Sequence, residues 1–263
     1  MKNKINTIES QKLEIVEVRT LKIFAKSDIG KAREMNQDSF YVSDVNDGIK
    51  LFILADGMGG YKGGEIASRL AVDCTRKYIC NNFPEIVKEK EEIMKLIRSS
   101  IEYANLRVFE KSQEDIELKD MGTTLDVCII YNNKVFIGHV GDSRVYRIRK
   151  NIIRKLTTDH SYVEKLVREG TITKEEAYHH PKKNMLMKAL GCNSLVEPDV
   201  MYKGFLKDDK LLMCSDGLTN MLKDNEIYDI ILNNPNEPQN KLIDKANEQG
   251  GYDNITAVIV DNI

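Results

Sequence analysis

Apolar residues recur at helical spacing in two neighbouring stretches. Residues 64–80 set Ala67, Leu70, Ala71, Cys74 and Tyr78 on one side, and residues 85–110 repeat the pattern with Ile93, Ile97, Ile101, Ala104 and Val108. Recurrence every three to four residues predicts two amphipathic helices. After Gly122 the pattern shortens to β-rich runs at 124–131, Lys134–Val140, Arg144–Arg149 and Ile152–Lys155, broken by Asn132-Asn133, Gly141-Asp142-Ser143 and Lys150-Asn151. Asn tolerates positive φ, so two-residue Asn-containing loops suit hairpins. The stretch predicts an antiparallel meander, against a doubly wound parallel sheet. Polar residues 157–190, with a helical piece at 161–168, interrupt the strands as a surface excursion or lid. A strand at 211–215, helical patterns at 224–232 and 238–248, and a last strand at 255–260 complete the chain, with no internal repeat.

Three of these strands end alike. Leu51-Phe52-Ile53-Leu54-Ala55 runs into Asp56-Gly57, Val135 to Val140 into Gly141-Asp142, and Leu211-Leu212-Met213-Cys214-Ser215 into Asp216-Gly217. An ionised Asp beyond a buried strand is costly unless something positive meets it, and a neighbouring Gly lets another backbone come close. Any one Asp-Gly is an ordinary turn dipeptide; three at strand exits, with Asp253-Asn254 opening the last strand after Gly250-Gly251, point to a site. Converging, these carboxylates would form an oxygen-only ligand set, since the sequence has no His-Glu-x-x-His, His-x-x-x-His or cysteine cluster. Oxygen sets select Mg²⁺ or Mn²⁺ over Zn²⁺. Two such ions with a bridging water make a design for phosphate ester hydrolysis.

Nucleotide-binding readings of Gly57-Met58-Gly59-Gly60-Tyr61-Lys62-Gly63-Gly64 fail on spacing. A dinucleotide fingerprint needs glycine where Lys62 stands, and no Gly-Lys-Ser/Thr ending exists for a P-loop. No two aspartates are two residues apart, which excludes a nucleophilic Asp-x-Asp phosphatase. Arg33, upstream of Asp38, taken alone reads as a surface charge, yet near a metal pair a guanidinium suits bidentate capture of phosphate oxygens.

Composition narrows the classes. The 263 residues carry 39 basic and 41 acidic side chains, with no aromatic-interleaved basic block, so neither nucleic acid nor an anionic membrane is an expected partner. No run of about 18 apolar residues could span a bilayer. Five dispersed cysteines, Cys74, Cys80, Cys128, Cys192 and Cys214, read as thiols in a reducing compartment, and with no secretory signal the expected location is the cytoplasm. Residues 1–20 read as an extension, loose at 1–12, before one domain at 21–263. The mixed run at 88–92 reads as a solvated helix face. His139 reads as a core residue, and His160, His179 and His180 as surface residues of the excursion.

The ordered blocks resemble those of the bacterial metal-dependent (type 2C, PPM-type) serine/threonine protein phosphatases over about residues 22–262. They are Ser27-Asp28-Ile29-Gly30 with Arg33 and Asn36-Gln37-Asp38; Asp56-Gly57-Met58-Gly59-Gly60; Gly122-Thr123-Thr124; Gly138-His139-Val140-Gly141-Asp142-Ser143-Arg144; Thr157-Thr158-Asp159-His160-Ser161; Ala189-Leu190-Gly191; Ser215-Asp216-Gly217-Leu218-Thr219-Asn220; and Gly251-Tyr252-Asp253-Asn254-Ile255-Thr256. The resemblance implies an α+β fold, a four-layer αββα sandwich of two antiparallel sheets, with residues 157–190 as a flap. It implies that Asp56 bridges two Mn²⁺ or Mg²⁺ ions, that the Gly57 carbonyl binds one, and that Asp216 and Asp253 bind the other. Asp38 would act through metal-bound water, Arg33 would hold the substrate phosphate, and Asp142 would serve a third ion with Asp216. Two positions depart: Met58 stands where many eukaryotic members have a histidine proposed as general acid, and Asn220 where some have an Asp at the third metal.

The implied function is hydrolysis of phosphoserine and phosphothreonine in proteins, opposing a Ser/Thr kinase, by a monomer. The alternative is a non-catalytic, kinase- or phosphoprotein-binding pseudophosphatase; retention of Arg33, Asp38, Asp56, Asp216 and Asp253 speaks against it.

Overall fold

The computed structural model describes residues 21–44, 48–114 and 116–263; the expected extension at 1–20 lies outside them. In chain order the strands are β1 (Leu21–Asp28), β2 (Asp38–Val42), β3 (Lys50–Met58), β4 (Gly122–Thr123), β5 (Leu125–Tyr131), β6 (Lys134–Val140), β7 (Arg144–Arg149), β8 (Ile152–Lys155), β9 (Asp199–Gly204), β10 (Lys210–Cys214) and β11 (Ile255–Asn262). The helices are α1 (Gly60–Asn82), α2 (Lys90–Glu114), α3 (Tyr162–Arg168), α4 (Lys174–His179), α5 (Asp216–Thr219), α6 (Asp224–Asn233) and α7 (Pro238–Glu248). One sheet runs β1-β11-β10-β7-β8 and the other β2-β3-β5-β6-β9, with β4 paired to β3. Every pairing is antiparallel.

The strands are apolar on both faces because each sheet is covered twice. In β3, Leu51 and Ile53 join Ala67, Ile97 and Ile101 beneath α1 and α2, while Phe52 and Leu54 join Val145, Met213 and Val258 between the sheets. That is the period-two alternation of a strand with both faces buried. On the far side Tyr146, Leu212 and Ile259 pack beneath α6 and α7 with Ile227, Ile231 and Leu242. The layers are therefore helices, sheet, sheet, helices: the αββα sandwich implied by the resemblance.

The single meander expected over 124–155 is instead two hairpins in two different sheets. Both two-residue loops have positive φ throughout, 46° and 60° at Asn132-Asn133 and 47° and 62° at Lys150-Asn151, as a tight right-twisted turn requires. Between them Gly141-Asp142-Ser143 carries the chain from one sheet to the other, so β6 and β7 do not pair. Run 88–92 fits the expected solvated helix face from Lys90 onward, where α2 begins, but Lys88 lies before it and donates to the carbonyls of Phe83, Pro84 and Ile86, closing the turn that leads into the helix. No helix among the described residues is long and apolar enough to cross a membrane.

Candidate active site

The expected carboxylates meet at one end of the sandwich. Asp38 on β2 and Asp56 on β3 are direct cross-strand partners, an arrangement of like charges that opposes pairing unless a cation or proton offsets it. From the other sheet, Asp216 begins α5 at the exit of β10 and Asp253 precedes β11. Asp142, in the crossover from β6 to β7, is the fifth.

Each carboxylate is held by particular neighbours. Asp38 Oδ2 accepts from Ser215 Oγ (2.8 Å) and Thr256 Oγ1 (2.6 Å), whereas its Oδ1 is buried without a partner. The Asp56 backbone is clamped by Thr124 Oγ1 on its N–H and by Thr123 Oγ1 and the Thr124 N–H on its carbonyl, each at 2.9 Å. Asp216 Oδ2 accepts from Asn220 Nδ2 at 2.9 Å. Asn220 thus orients an acid where an acid of its own would add charge. Asp253 Oδ1 accepts from the Asn254 N–H (2.9 Å), and its Oδ2 takes Arg33 Nη2 at 2.8 Å.

The two Asp-Gly glycines are there for close approach. A Cβ on Gly57 would stand 2.1 Å from the Gly64 carbonyl oxygen, and one on Gly217 would stand 2.0 Å from that of Asn254. Any side chain would push these backbones apart and with them the acids alongside.

Charge accumulates faster than it is neutralised. Burial, and then the nearby Asp216 and Asp253, push Asp38 up to about 7, against the hydroxyls of Thr256 and Ser215. Asp56 lies well above the usual carboxylate range through burial and the charges of Asp38, Asp216, Asp142 and Asp253. Burial and Asp253 raise Asp216, while hydrogen bonds from Asp56 and Asn220 work the other way. Burial, Asp216 and Asp159 raise Asp142. Among the described residues no three His, Cys, Asp or Glu side chains already stand as a finished ligand set; protons, hydroxyls, an amide and Arg33 share the carboxylates. The donors nevertheless fit a hard divalent cation, because they are all oxygen, mutually repulsive, and include the orphaned Asp38 Oδ1.

Two residues of the sequence blocks that have no expected part in the site prove to support it. Asn254, 4% exposed, accepts from the Gln37 N–H and donates to the carbonyls of Ile29 and Met35. It thereby ties the loop that carries Arg33 to β11. His160 is mostly buried, contrary to expectation: its Nδ1 accepts from the Gly141 N–H, and its own N–H donates to the Gly141 carbonyl. Burial first, and then neighbouring His139, lower its pKa to about 4, so the ring is neutral and able to accept. His139 is a core residue, fully buried with Nδ1 at 2.6 Å from Asp126. His179 is exposed, as expected, on α4.

Comparison with known proteins agrees with this fold. Residues 30–241 match the model of the family described as Protein phosphatase 2C. A serine/threonine phosphatase stp of Listeria welshimeri is 39% identical over 240 residues, covering 90% of this chain and 94% of that one. The structure of the S. agalactiae serine/threonine phosphatase superposes with a TM-score of 0.83 at 37% identity, covering 93% of this chain and 100% of that one. The catalytic domain of the serine/threonine protein phosphatase PstP, solved in complex with two manganese ions, gives a TM-score of 0.80 at 32% identity over 92% of this chain and 98% of that one. With carboxylates gathered at one end of an αββα sandwich and these matches along nearly the whole described length, the chain belongs to the protein phosphatase 2C family of serine/threonine phosphatases.

Proposed function

We propose that this chain removes phosphate from phosphoserine and phosphothreonine in proteins at a centre of two Mn²⁺ or Mg²⁺ ions. The observation that carries the reading is the convergence of Asp38, Asp56, Asp142, Asp216 and Asp253, with Arg33 reaching Asp253 from the solvent side. Asp56 and the Gly57 carbonyl, with Asp216 and Asp253, would hold the pair; Asp38 would act through water, and Asp142 would serve a third site. Two hard cations there would neutralise charge on the phosphoryl oxygens and acidify a water for in-line attack.

The chain's own residues do the rest. Arg33, paired with Asp253 and with 52% of its side chain exposed, would exchange that partner for a phosphate and hold two of its oxygens. The Thr123 and Thr124 clamp on the Asp56 backbone fixes where that residue stands in the cluster. Met58 supplies no proton, so protonation of the leaving serine or threonine oxygen falls to water in the cleft.

The catalytic unit spans 21–263, and the phosphoproteins it acts on are products of a Ser/Thr kinase, as the serine/threonine phosphatase relatives suggest. Five free cysteines, without a disulfide among the described residues, accord with work in a reducing cytoplasm. Manganese should stimulate hydrolysis of p-nitrophenyl phosphate and of phosphoserine peptides, and Asp56→Ala or Asp216→Ala should each lower the rate by more than about 100-fold, beyond what loss of a supporting residue costs. Undiminished turnover in excess EDTA would refute the metal mechanism. Phosphopeptide binding without turnover would identify a non-catalytic binder.

A further inference from the structure

Far from the carboxylates, the sandwich has an edge where β9 ends one sheet and β7–β8 the other. Arg147 and Arg154 face each other directly across the β7–β8 pair. Both lie on the side of that sheet where Val145 packs between the layers. Arg149 is two residues further along the same face. Arg147 Nη1 and Arg149 Nη2 converge on the Gly204 carbonyl of β9 at 2.8 and 3.0 Å. Lys203 precedes that carbonyl and is exposed, in register with Val135 of the inter-sheet core.

Against these four cations stands Asp209, spent on Arg149 through two bonds of 2.6 Å. Asp208, exposed in the same turn, enters none of these contacts. Among the described residues Arg154 and Lys203 form no ion pair, and Arg147 Nε is buried without a partner. Burial and then the neighbouring guanidiniums of Arg149 and Arg154 hold Arg147 below the ordinary arginine value.

Like charges placed opposite each other weaken a strand pair, and places where a fold breaks its own local rules are where function sits. What would offset them is an oxyanion. Arg147 and Arg149 already close onto the Gly204 carbonyl, so a partner would lie along the edge of the sandwich and not between its sheets. Two apolar side chains flank the cations: Ile152, 60% exposed and opposite Arg149, and Leu206, 47% exposed beside Asp209. From Arg144 to Arg149 the strand runs about 17 Å away from the catalytic end, so both places can be filled at once.

We propose that this edge is a docking site for an acidic protein segment, in which carboxylate or phosphate groups alternate with apolar side chains. Fluorescence anisotropy with labelled decaglutamate, and with a decapeptide of Glu bearing Leu at every third position, tests it. The wild-type protein should bind both, the Leu-containing peptide more tightly, and both less as salt rises. The double variant Arg147→Glu/Arg154→Glu should bind at least about 10-fold more weakly, while manganese-dependent p-nitrophenyl phosphate hydrolysis stays at the wild-type rate. Arg154→Glu alone gives Arg147 a partner and should raise Tm by about 1–3 °C. If the double variant does not fold, Arg154→Gln, which removes one exposed charge and no buried contact, should weaken binding by about threefold. Equal binding by wild type and variants, or no binding by the wild type, overturns the proposal. Tighter binding to phosphatidylserine vesicles than to either peptide also overturns it and assigns the edge to lipid.

Discussion

Asp38 shows how much one position can carry. It faces Asp56 across two strands, has one oxygen held by Ser215 and Thr256, and has the other buried with no partner. Asp38→Asn removes one member of a repelling cluster while keeping the side chain's shape. In EDTA the variant should melt about 2–4 °C higher than the wild type. In a calorimetric titration it should bind Mn²⁺ about 10-fold more weakly. A variant that bound manganese as tightly as the parent would remove Asp38 from the metal site. Asp56 and Asp216 are visible in the sequence because a charged residue at the mouth of an apolar run is conspicuous, and Asp253 because it opens the last strand, whereas Asp38 is marked only by the resemblance of its block. Ser215 and Thr256 are not conspicuous. A small hydroxyl in an apolar strand becomes meaningful only with its partner, and here that partner lies 177 and 218 residues away.

Among elements, the loop bearing Arg33 depends on β11 more than on itself. Asn254 satisfies the Gln37 N–H and two carbonyls of that loop, and Lys31 and Ala32 add bonds to the Gly251 carbonyl. Asn254→Ala would strand three backbone groups, each costing about 1–3 kcal/mol if left unsatisfied. Urea unfolding should report a loss of about 2–4 kcal/mol, since larger effects of one substitution are exceptional. Because Arg33 rides on the loop, KM for phosphopeptides should rise more than kcat falls; an unchanged KM would separate the loop from substrate binding. Strong periodicity announces α1, α2 and the β5–β6 and β7–β8 hairpins; the hairpin strands keep the expected bounds to within one residue, while α1 starts four residues earlier than the pattern and α2 starts five residues later and ends four later. The pattern does not single out β1, β2 and β9. These are edge strands, half-buried along most of their length, and their residues are chosen by the neighbours they meet.

For the whole molecule, the gathered acids set a pH dependence whose sign follows from their direction. Burial and mutual repulsion raise Asp38, to about 7, and also Asp56, Asp142 and Asp216. Between an unfolded carboxylate's pKa of about 4 and these higher folded values, the folded chain binds more protons than the unfolded one. Their contribution to stability is therefore full below about pH 4 and is lost as pH rises through the raised folded values, for Asp38 about 7. Asp159 runs the opposite way. Burial alone would raise it, but Arg144 and Lys155 outweigh burial and hold it below the usual range, so its contribution disappears as acid protonates it. Thermal melts in EDTA should thus show Tm falling from about pH 4.5 to pH 8, and manganese should flatten that fall by supplying the charge the cluster lacks. A flat EDTA profile would mean that the acids do not sense one another.

The sequence by itself determined most of the elements and the kind of chemistry, because helix and strand periods are local and an Asp leaving an apolar strand is costly wherever the strand goes. The resemblance of its ordered blocks added the sandwich and, as expectations, the roles of the acids. Tertiary structure alone decided that the hairpins on either side of Gly141-Asp142-Ser143 belong to different sheets, that His160 is buried against Gly141, and that Asn254 fastens the Arg33 loop. It also decided that Asp38 and Asp56 face each other in register. The reason is one of range: propensity and pattern act over a few residues, whereas pairing partners and burial are set by strands brought together from distant parts of the chain. Five separate aspartates become one charged site only when both sheets are in place.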